Sequence, residues 1–334
     1  MKQARFEQLH GQEWSLLERS LAGGASKRTQ PVAGDGADAD TLDPLDFARA
    51  YRRLCQQLAL AERRGYGLAL VQHLRQLAER CHLRLYRPPR TRWMRATQFL
   101  LRGFPQRVRA HAGVMWAASL LFFGPLIGLL LAVQVWPELA GRIVGAGQLA
   151  QLESMYDPDA EHIGRGRDSG SDLQMFGFYI LNNISIGFRT FASGLFAGIG
   201  SGFVLVFNGV FIGSAAGHLT AIGYGAPFWG FVAGHSAPEL LGIMISGGAG
   251  LQLGLALLAP GQRSRARAFR EAGIEGARLI AGVFALLLFA AFVEAFWSSI
   301  GWMPALVKYA AGIGLWSLLL AWLLLAGRGA AHAD

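Results

Sequence analysis

The chain divides near residue 110 into a polar part with helical periodicity and a part made of long apolar runs. In the polar part, apolar residues recur at helical spacing, as at Phe47, Tyr51, Leu54 and Leu58, which indicates amphipathic helices. Asp43 can act as the N-cap of this helix, and Gly65 can end it. Amphipathic helices are predicted at residues 3–22, 43–64 and 67–86, with a small-residue, mobile linker near 24–41.

The apolar runs after residue 110 are long enough to cross a bilayer, which needs about 20 apolar residues. Clear spans are predicted at 115–135, 279–296 and 305–325. The run 176–217 fits two short spans, or one span after an interfacial helix. The run 227–258 is too long for one straight helix and should tilt or break at 234–238. We therefore expect an all-α, polytopic helical membrane protein with about six transmembrane helices, or five if 176–189 only lies on the surface and the run 227–258 crosses in an unusual way.

Charge predicts how these spans are oriented. Residues 1–111 hold 20 Lys and Arg against 10 Asp and Glu, whereas 112–334 hold 11 against 12. Because basic segments flanking spans stay in the cytoplasm, we expect residues 1–110 to form a basic cytosolic helical region. Residues 111–328 then form the transmembrane domain, with an acidic extracytoplasmic loop at 137–174 and both termini cytoplasmic. Lys308 disagrees with this rule, and we expect its long side chain to snorkel.

Composition limits the function classes. With 52% hydrophobic and 16% charged residues, the chain is too apolar for a soluble domain. The arginines between Arg87 and Arg109 crowd the approach to the first span, so we expect them to bind anionic lipid headgroups and not nucleic acid. No N-terminal signal peptide is expected, and Cys55 and Cys81 should be free thiols.

Small residues at four-residue spacing are the firmest local pattern. Such spacing places them on one helix face, where two backbones can approach closely. Packing within one chain or between chains of a homo-oligomer both fit the pattern. The three sets are Gly194, Gly198 and Gly202; Gly209, Gly213 and Gly217; and Gly242, Ser246, Gly250 and Gly254.

Polar residues inside the apolar runs form the second candidate set, because each is costly in lipid and needs a partner. His235 and Glu239 are four residues apart and share a face if the helix is continuous. Arg189 is the partner we expect for Glu239. A self-satisfying network, a transport or ligand site, and a catalytic site all fit this set, which comprises Asn182, Asn183, Arg189, Asn208, His218, His235, Glu239 and Glu294.

Several catalytic and metal-binding templates can be compared with the sequence, and they do not fit. The stretch G-H-S-A-P at 234–238 departs from the G-x-S-x-G nucleophile elbow at its last position. His235 and Glu239 supply only two metal ligands, and His218 as a third is conjecture. The acidic segment 157–168 lacks the Gly and final Glu of an EF-hand. We therefore expect no cofactor, no metal and no enzymatic activity.

Three stretches resemble the stage II sporulation protein M family. They are F-Y-I-L-N-N-I-S-I-G-F-R-T-F-A-S-G-L-F-A-G-I-G-S-G at 178–202, F-N-G-V-F-I-G at 207–213 and A-G-H-S-A-P-E-L-L-G-I-M-I-S-G-G-A-G-L-Q-L-G at 233–254. Weaker likeness to Gram-negative-type members appears at 47–54 and 104–109. The resemblance implies a multi-pass protein of the bacterial cytoplasmic membrane without established enzymatic activity.

The same resemblance suggests a function. The sporulation member works with cell-wall hydrolases during engulfment, and other members often lie beside genes for MoxR-type ATPases and von Willebrand A-domain proteins. The expected function is thus a non-enzymatic scaffold or accessory protein for envelope or cell-wall remodelling, with other envelope proteins as partners. The alternative is a channel or transporter that uses the intramembrane polar cluster. The long basic arm and acidic loop depart from the compact sporulation member, so the engulfment role itself is not carried over.

Overall fold

The computed structural model describes residues 1–26, 42–86, 91–159 and 172–328. Within these ranges the protein contains fourteen α-helices and no strand, which confirms the predicted all-α fold. Contacts divide the chain into two compact units, Met1–Thr91 and Arg92–Asp334.

The N-terminal unit consists of three helices, α1 (Gln3–Ser26), α2 (Pro44–Arg63) and α3 (Leu68–Tyr86). A turn at Gly65, with φ +63°, joins α2 to α3, and positive φ is a conformation that glycine adopts without a Cβ clash. Helix α1 extends past the predicted 3–22, and residues 27–41 of the predicted linker lie outside the described residues.

This unit has its own hydrophobic core. Five large apolar side chains from its three helices are at most 2% exposed, and burying each contributes about 1.5–3 kcal/mol. The indole of Trp14 donates a hydrogen bond of 2.7 Å to the buried Gln57 side chain and links α1 to α2. The five large side chains, which are part of a larger core, are Phe6, Leu17, Leu54, Leu74 and Leu77.

The second unit begins with α4 (Arg92–Gln98), a π-helical turn (Phe99–Gly103) and α5 (Phe104–Ala110). Phe104 is fully buried in the core of the membrane bundle. The segment 92–110, which charge grouped with the cytosolic region, thus packs with the bundle, and the observed division falls at Thr91.

Two arginines of the predicted lipid-binding stretch make contacts within the bundle. Arg107 forms an ion pair with Glu275, and Arg109 donates to the carbonyls of Leu323 and Ala326. Charge counting could not detect this use, because an arginine that binds protein carbonyls has the same sequence signature as one that binds lipid.

Five helices of the bundle are long and apolar enough to cross a membrane. Three shorter helices, α7 (Glu138–Val144), α8 (Ala146–Met155) and α11 (Gly225–Val232), connect them. The five are α6 (Ala112–Val135), α10 (Ile199–Ala221), α12 (Ser236–Leu258), α13 (Arg265–Val293, continued by a π-helical turn to Ser298) and α14 (Ala305–Leu325).

Helix α9 (Asp172–Ala192) is where the six-span prediction and its five-span alternative differ. It is not one of the five helices that are long and apolar enough to cross a membrane. It nevertheless packs against both α12 and α13, since a Cβ at Gly187 would lie 3.3 Å from Ser246 Oγ and 2.8 Å from Leu287 Cδ1. The buried Thr190 lies on the same side.

The bundle has two ends, which we name by their loops. The acidic-loop end carries residues 136–159, and the basic-loop end carries 259–264. Helices α6, α10 and α13 run toward the acidic-loop end. Helices α9, α12 and α14 run toward the basic-loop end.

Most of the predicted small-residue sets mark close helix contacts within this chain. A Cβ at Gly194 would overlap the backbone of Gly250, and one at Gly254 would overlap that of Gly198. These contacts hold α12 against the turn 193–198 between α9 and α10.

The remaining small residues of the sets pack differently. Gly209, Gly213 and Gly217 face the backbone of α6, whereas Gly242 faces Leu287, and a Cβ at Gly242 would lie 2.7 Å from Leu287 Cδ2. A Cβ at Gly202 would make only an ordinary contact of 3.8 Å, with Leu121.

Candidate functional site

The predicted break in the run 227–258 is present at the acidic-loop end, where α11 ends at Val232 and α12 begins at Ser236. A Cβ at Gly234 would overlap the ring of Trp297 and lie 3.1 Å from Val293 Cγ1. Glycine at this position therefore allows the start of α12 to lie directly against the end of α13.

The end of α13 is a π-helical turn, Glu294–Ser298. Such turns contain one extra residue per turn, change the direction of the side chains that follow and often occur at functional sites. Here Ser298 is buried, and its hydroxyl lies 2.9 Å from His235 Nδ1. The turn thus joins two helix ends through a pair of polar side chains.

Three acidic or basic side chains meet at this junction. His235, Glu239 and Glu294, which we call the His/Glu cluster, offer ligand atoms that all lie within 4.8 Å of one another. His235 Nε2 is 3.9 Å from Glu239 Oε2. Helix α12 brings the first two together because residues four apart share a face.

The cluster is enclosed but can be reached. The side chain of His235 is 6% exposed and that of Glu239 is 19% exposed, so the carboxylate is the more accessible of the two. Neighbouring carboxylates in low dielectric cannot both stay ionised without a compensating cation. The arrangement is therefore able to hold a proton or a metal cation.

The hydrogen bond at Nδ1 determines what the other imidazole nitrogen does. When Nδ1–H donates to Ser298 Oγ, Nε2 carries the lone pair and faces Glu239. Lys308 reaches the same junction from α14, where its ammonium donates a 2.9 Å hydrogen bond to the Ser298 carbonyl. Its side chain is buried, so the expectation that Lys308 snorkels is wrong.

The predicted pairing of Arg189 with Glu239 is also wrong. Arg189 is exposed and forms no ion pair within the described ranges. It is two residues after Gly187, or about 200° around the helix, and so points away from the face that packs on α12. Gly187 is also level with Ser246, which lies about 10 Å along α12 from Glu239.

The other predicted polar residues lie apart from the cluster. Asn182 donates to the buried Asn183, whose own amide nitrogen has no hydrogen-bond partner. Asn208 bonds to the carbonyl one turn earlier in its own helix. His218 lies 2.6 Å from Glu153 and joins α10 to α8.

Sequence reasoning did not identify two residues of the junction. Ser298 lies four residues after Glu294, and that spacing could have suggested that the two share a helix face. The π-helical turn that contains both residues, however, has no sequence signature. Lys308 was noted in the sequence only because its positive charge disagrees with the orientation that the other charges predict.

Comparison with curated proteins and with solved structures gave no match. The model of a domain of unknown function (DUF8413) matches residues 4–87, which lie within the N-terminal unit. The family model described as stage II sporulation protein M matches residues 112–299, more than half of the chain. This match includes α12, the π-helical turn and all three residues of the His/Glu cluster. The chain therefore belongs to the stage II sporulation protein M family.

Proposed function

We propose that this protein is a non-enzymatic scaffold of the bacterial cytoplasmic membrane that holds envelope-remodelling proteins together, with both termini in the cytoplasm. The observation that supports it best is the self-contained N-terminal unit. That unit has its own core and matches a family model separate from that of the membrane domain.

The distribution of the cores adds to this support. Among the described residues, the main core of the membrane unit runs from Phe104 to Leu323, and the N-terminal unit has a core of its own. A separately folded helical module attached to a membrane bundle is suited to binding a partner in the cytoplasm. Exposed leucines such as Leu9, Leu45 and Leu68 offer apolar contact points on it.

The test compares two altered chains in a bacterium whose own copy of the gene is deleted. One chain lacks residues 1–91, and the other is intact but carries Glu239→Gln. Envelope integrity is measured as release of a cytoplasmic reporter enzyme and as sensitivity to wall-targeting antibiotics. We expect the truncated chain to fail in complementation and Glu239→Gln to complement.

Membrane abundance of each chain must be measured alongside, so that a loss of protein is not mistaken for a loss of function. The envelope role would be refuted if deleting the gene leaves both envelope readouts unchanged. The scaffold role would be refuted if the truncated chain, present at normal abundance, complements fully.

The channel or transporter alternative is favoured by one observation, the meeting of His235, Glu239 and Glu294 within the bundle. It makes the reverse prediction for the same two chains: Glu239→Gln should abolish function and the truncated chain should retain it. In proteoliposomes, a proton or cation flux that depends on Glu239 would support this alternative.

A further inference from the structure

The structure assigns a divalent transition-metal site to His235, Glu239 and Glu294, where the start of α12 meets the end of α13. The first argument is ligand identity and position. One imidazole nitrogen and two carboxylates offer ligand atoms within 4.8 Å of one another. Ligands that share a tetrahedral zinc ion lie about 3.4 Å apart, given metal–ligand bonds of about 2.0–2.2 Å.

The contraction needed to bind a metal is small. The distance from His235 Nε2 to Glu239 Oε2 is 3.9 Å, only a few tenths of an ångström above the value for a shared ion. The widest separation must close by at most about 1.4 Å. Rotation of the flexible glutamate side chains can supply this without moving the helices.

Charge is the second argument. Two carboxylates beside an imidazole form a ligand set that attracts a cation and not an anion. Lys308 also reaches this junction, but its ammonium donates a hydrogen bond to the Ser298 carbonyl.

The hydrogen bond behind the imidazole is the third argument. Metal-binding histidines nearly always bond through their other nitrogen to an oxygen, which fixes the tautomer and the ring orientation. His235 does so through Nδ1, which lies 2.9 Å from the hydroxyl of the buried Ser298. Nε2 is thereby directed to the carboxylates.

The ligand set also selects the class of ion. Calcium and magnesium prefer oxygen ligands alone and usually six or more of them, whereas imidazole with carboxylates suits zinc, cobalt, iron or manganese. Three protein ligands leave a tetrahedral position for water. The partial exposure of Glu239 provides a path for the ion to enter.

The test uses the full-length protein, purified in detergent, loaded with Co²⁺ or Zn²⁺ and then washed free of loosely bound ion. Metal content per chain is measured by mass spectrometry, and the Co²⁺ form is examined by visible absorption. We expect one ion per wild-type chain and the absorption of a low-symmetry cobalt site. Glu239→Gln and Glu294→Gln should lose both signals.

Glu153→Gln is the matched control, because Glu153 also contacts a histidine, His218, but within the described residues the two belong to no group of three ligands. It should retain the ion and the cobalt spectrum. Ser298→Ala removes the positioning hydrogen bond and should weaken binding about 10–100-fold while the site still fills at high metal concentration.

A ligand replacement keeps the test decisive if the glutamine variants fail to fold. His235→Cys should still bind Co²⁺ and should add a thiolate-to-cobalt charge-transfer band that wild type lacks. Wild type that retains no ion, or cobalt spectra that are the same for wild type and Glu239→Gln, would overturn the site and leave a proton-binding cluster. A His235→Cys chain that binds cobalt without the band would overturn it as well.

Discussion

Substituting Gly250 by alanine gives the sharpest test of how the membrane bundle is held together. The added Cβ would lie 2.9 Å from the Phe191 carbonyl oxygen and 3.0 Å from Ser201 Cβ, and it would overlap Ser201 Oγ. That hydroxyl donates a buried 2.6 Å hydrogen bond to the Thr190 carbonyl. The substitution therefore both overfills the contact and displaces a hydrogen bond.

The magnitude follows from three contributions. Overpacking of this kind costs about 1–3 kcal/mol, and loss of a buried hydrogen bond adds about 0.5–1.5 kcal/mol. Replacing glycine by alanine in a helix stabilises the helix by about 1 kcal/mol through its higher helix propensity. We expect Gly250→Ala to lower stability by about 0.5–3.5 kcal/mol, and Gly250→Leu to lower it further.

Gly128→Ala in α6 is the matched control, because a Cβ at Gly128 meets nothing within 4 Å. It keeps the gain in helix propensity without the overlap, so its stability should stay the same or rise. Both variants are heated in detergent, and the folded fraction is read by size-exclusion chromatography. At about 2–4 °C per kcal/mol, Gly250→Ala should melt several degrees lower. Equal melting temperatures for Gly250→Ala and wild type would refute close packing at this contact.

Three further predictions concern orientation, a helix end and a thiol. Reporter fusions after Asp159 and after Ser264 should score on opposite sides of the membrane, and the same side for both would refute the six-span topology. Arg109→Ala removes two charge-assisted hydrogen bonds to the last carbonyls of α14 and should lower stability by about 1.5–3 kcal/mol, whereas the exposed Arg102→Ala should change the same melting assay little. Burial raises the pKa of the Cys81 thiol from 9.0 to about 11. Maleimide labelling of Cys81 in the folded protein should therefore be slow at pH 8 and should reach completion only in denaturant. Rapid labelling of Cys81 in the folded protein would contradict that burial.

The sequence predicted those parts of the fold that depend on local pattern. The helices of the N-terminal unit follow the spacing of apolar residues, and the break before α12 follows Gly234 and the residues after it. The small residues Gly194, Gly250 and Gly254 also stood out, because absence of a side chain on one helix face is readable from spacing.

Long-range geometry was harder to predict. Arg189 was assigned to Glu239 because it is a rare charge within an apolar run, but its direction depends on how α9 is rotated, and spacing alone does not give that rotation. Glu294 lies near His235 at the first residue of the π-helical turn that ends α13, and spacing alone does not predict how α13 and α12 are placed against each other. The sequence analysis therefore found only two metal ligands, His235 and Glu239, and did not add Glu294 as a third.

The contacts between α5 and the end of α14 constrain when this membrane domain can be completed. Phe104 packs on Trp322, and Gln106 donates a hydrogen bond of 2.7 Å to the Gly327 carbonyl. These partners are separated by more than two hundred residues, so the ribosome makes the acceptor long after the donor. During synthesis, α5 can reach α13 through the Arg107–Glu275 ion pair, but Gln106 and Arg109 must wait with their polar groups unpaired until the last span has been inserted. A chain that stops before residue 322 would leave α5 only partly docked, a state that membrane proteases could distinguish from the finished protein.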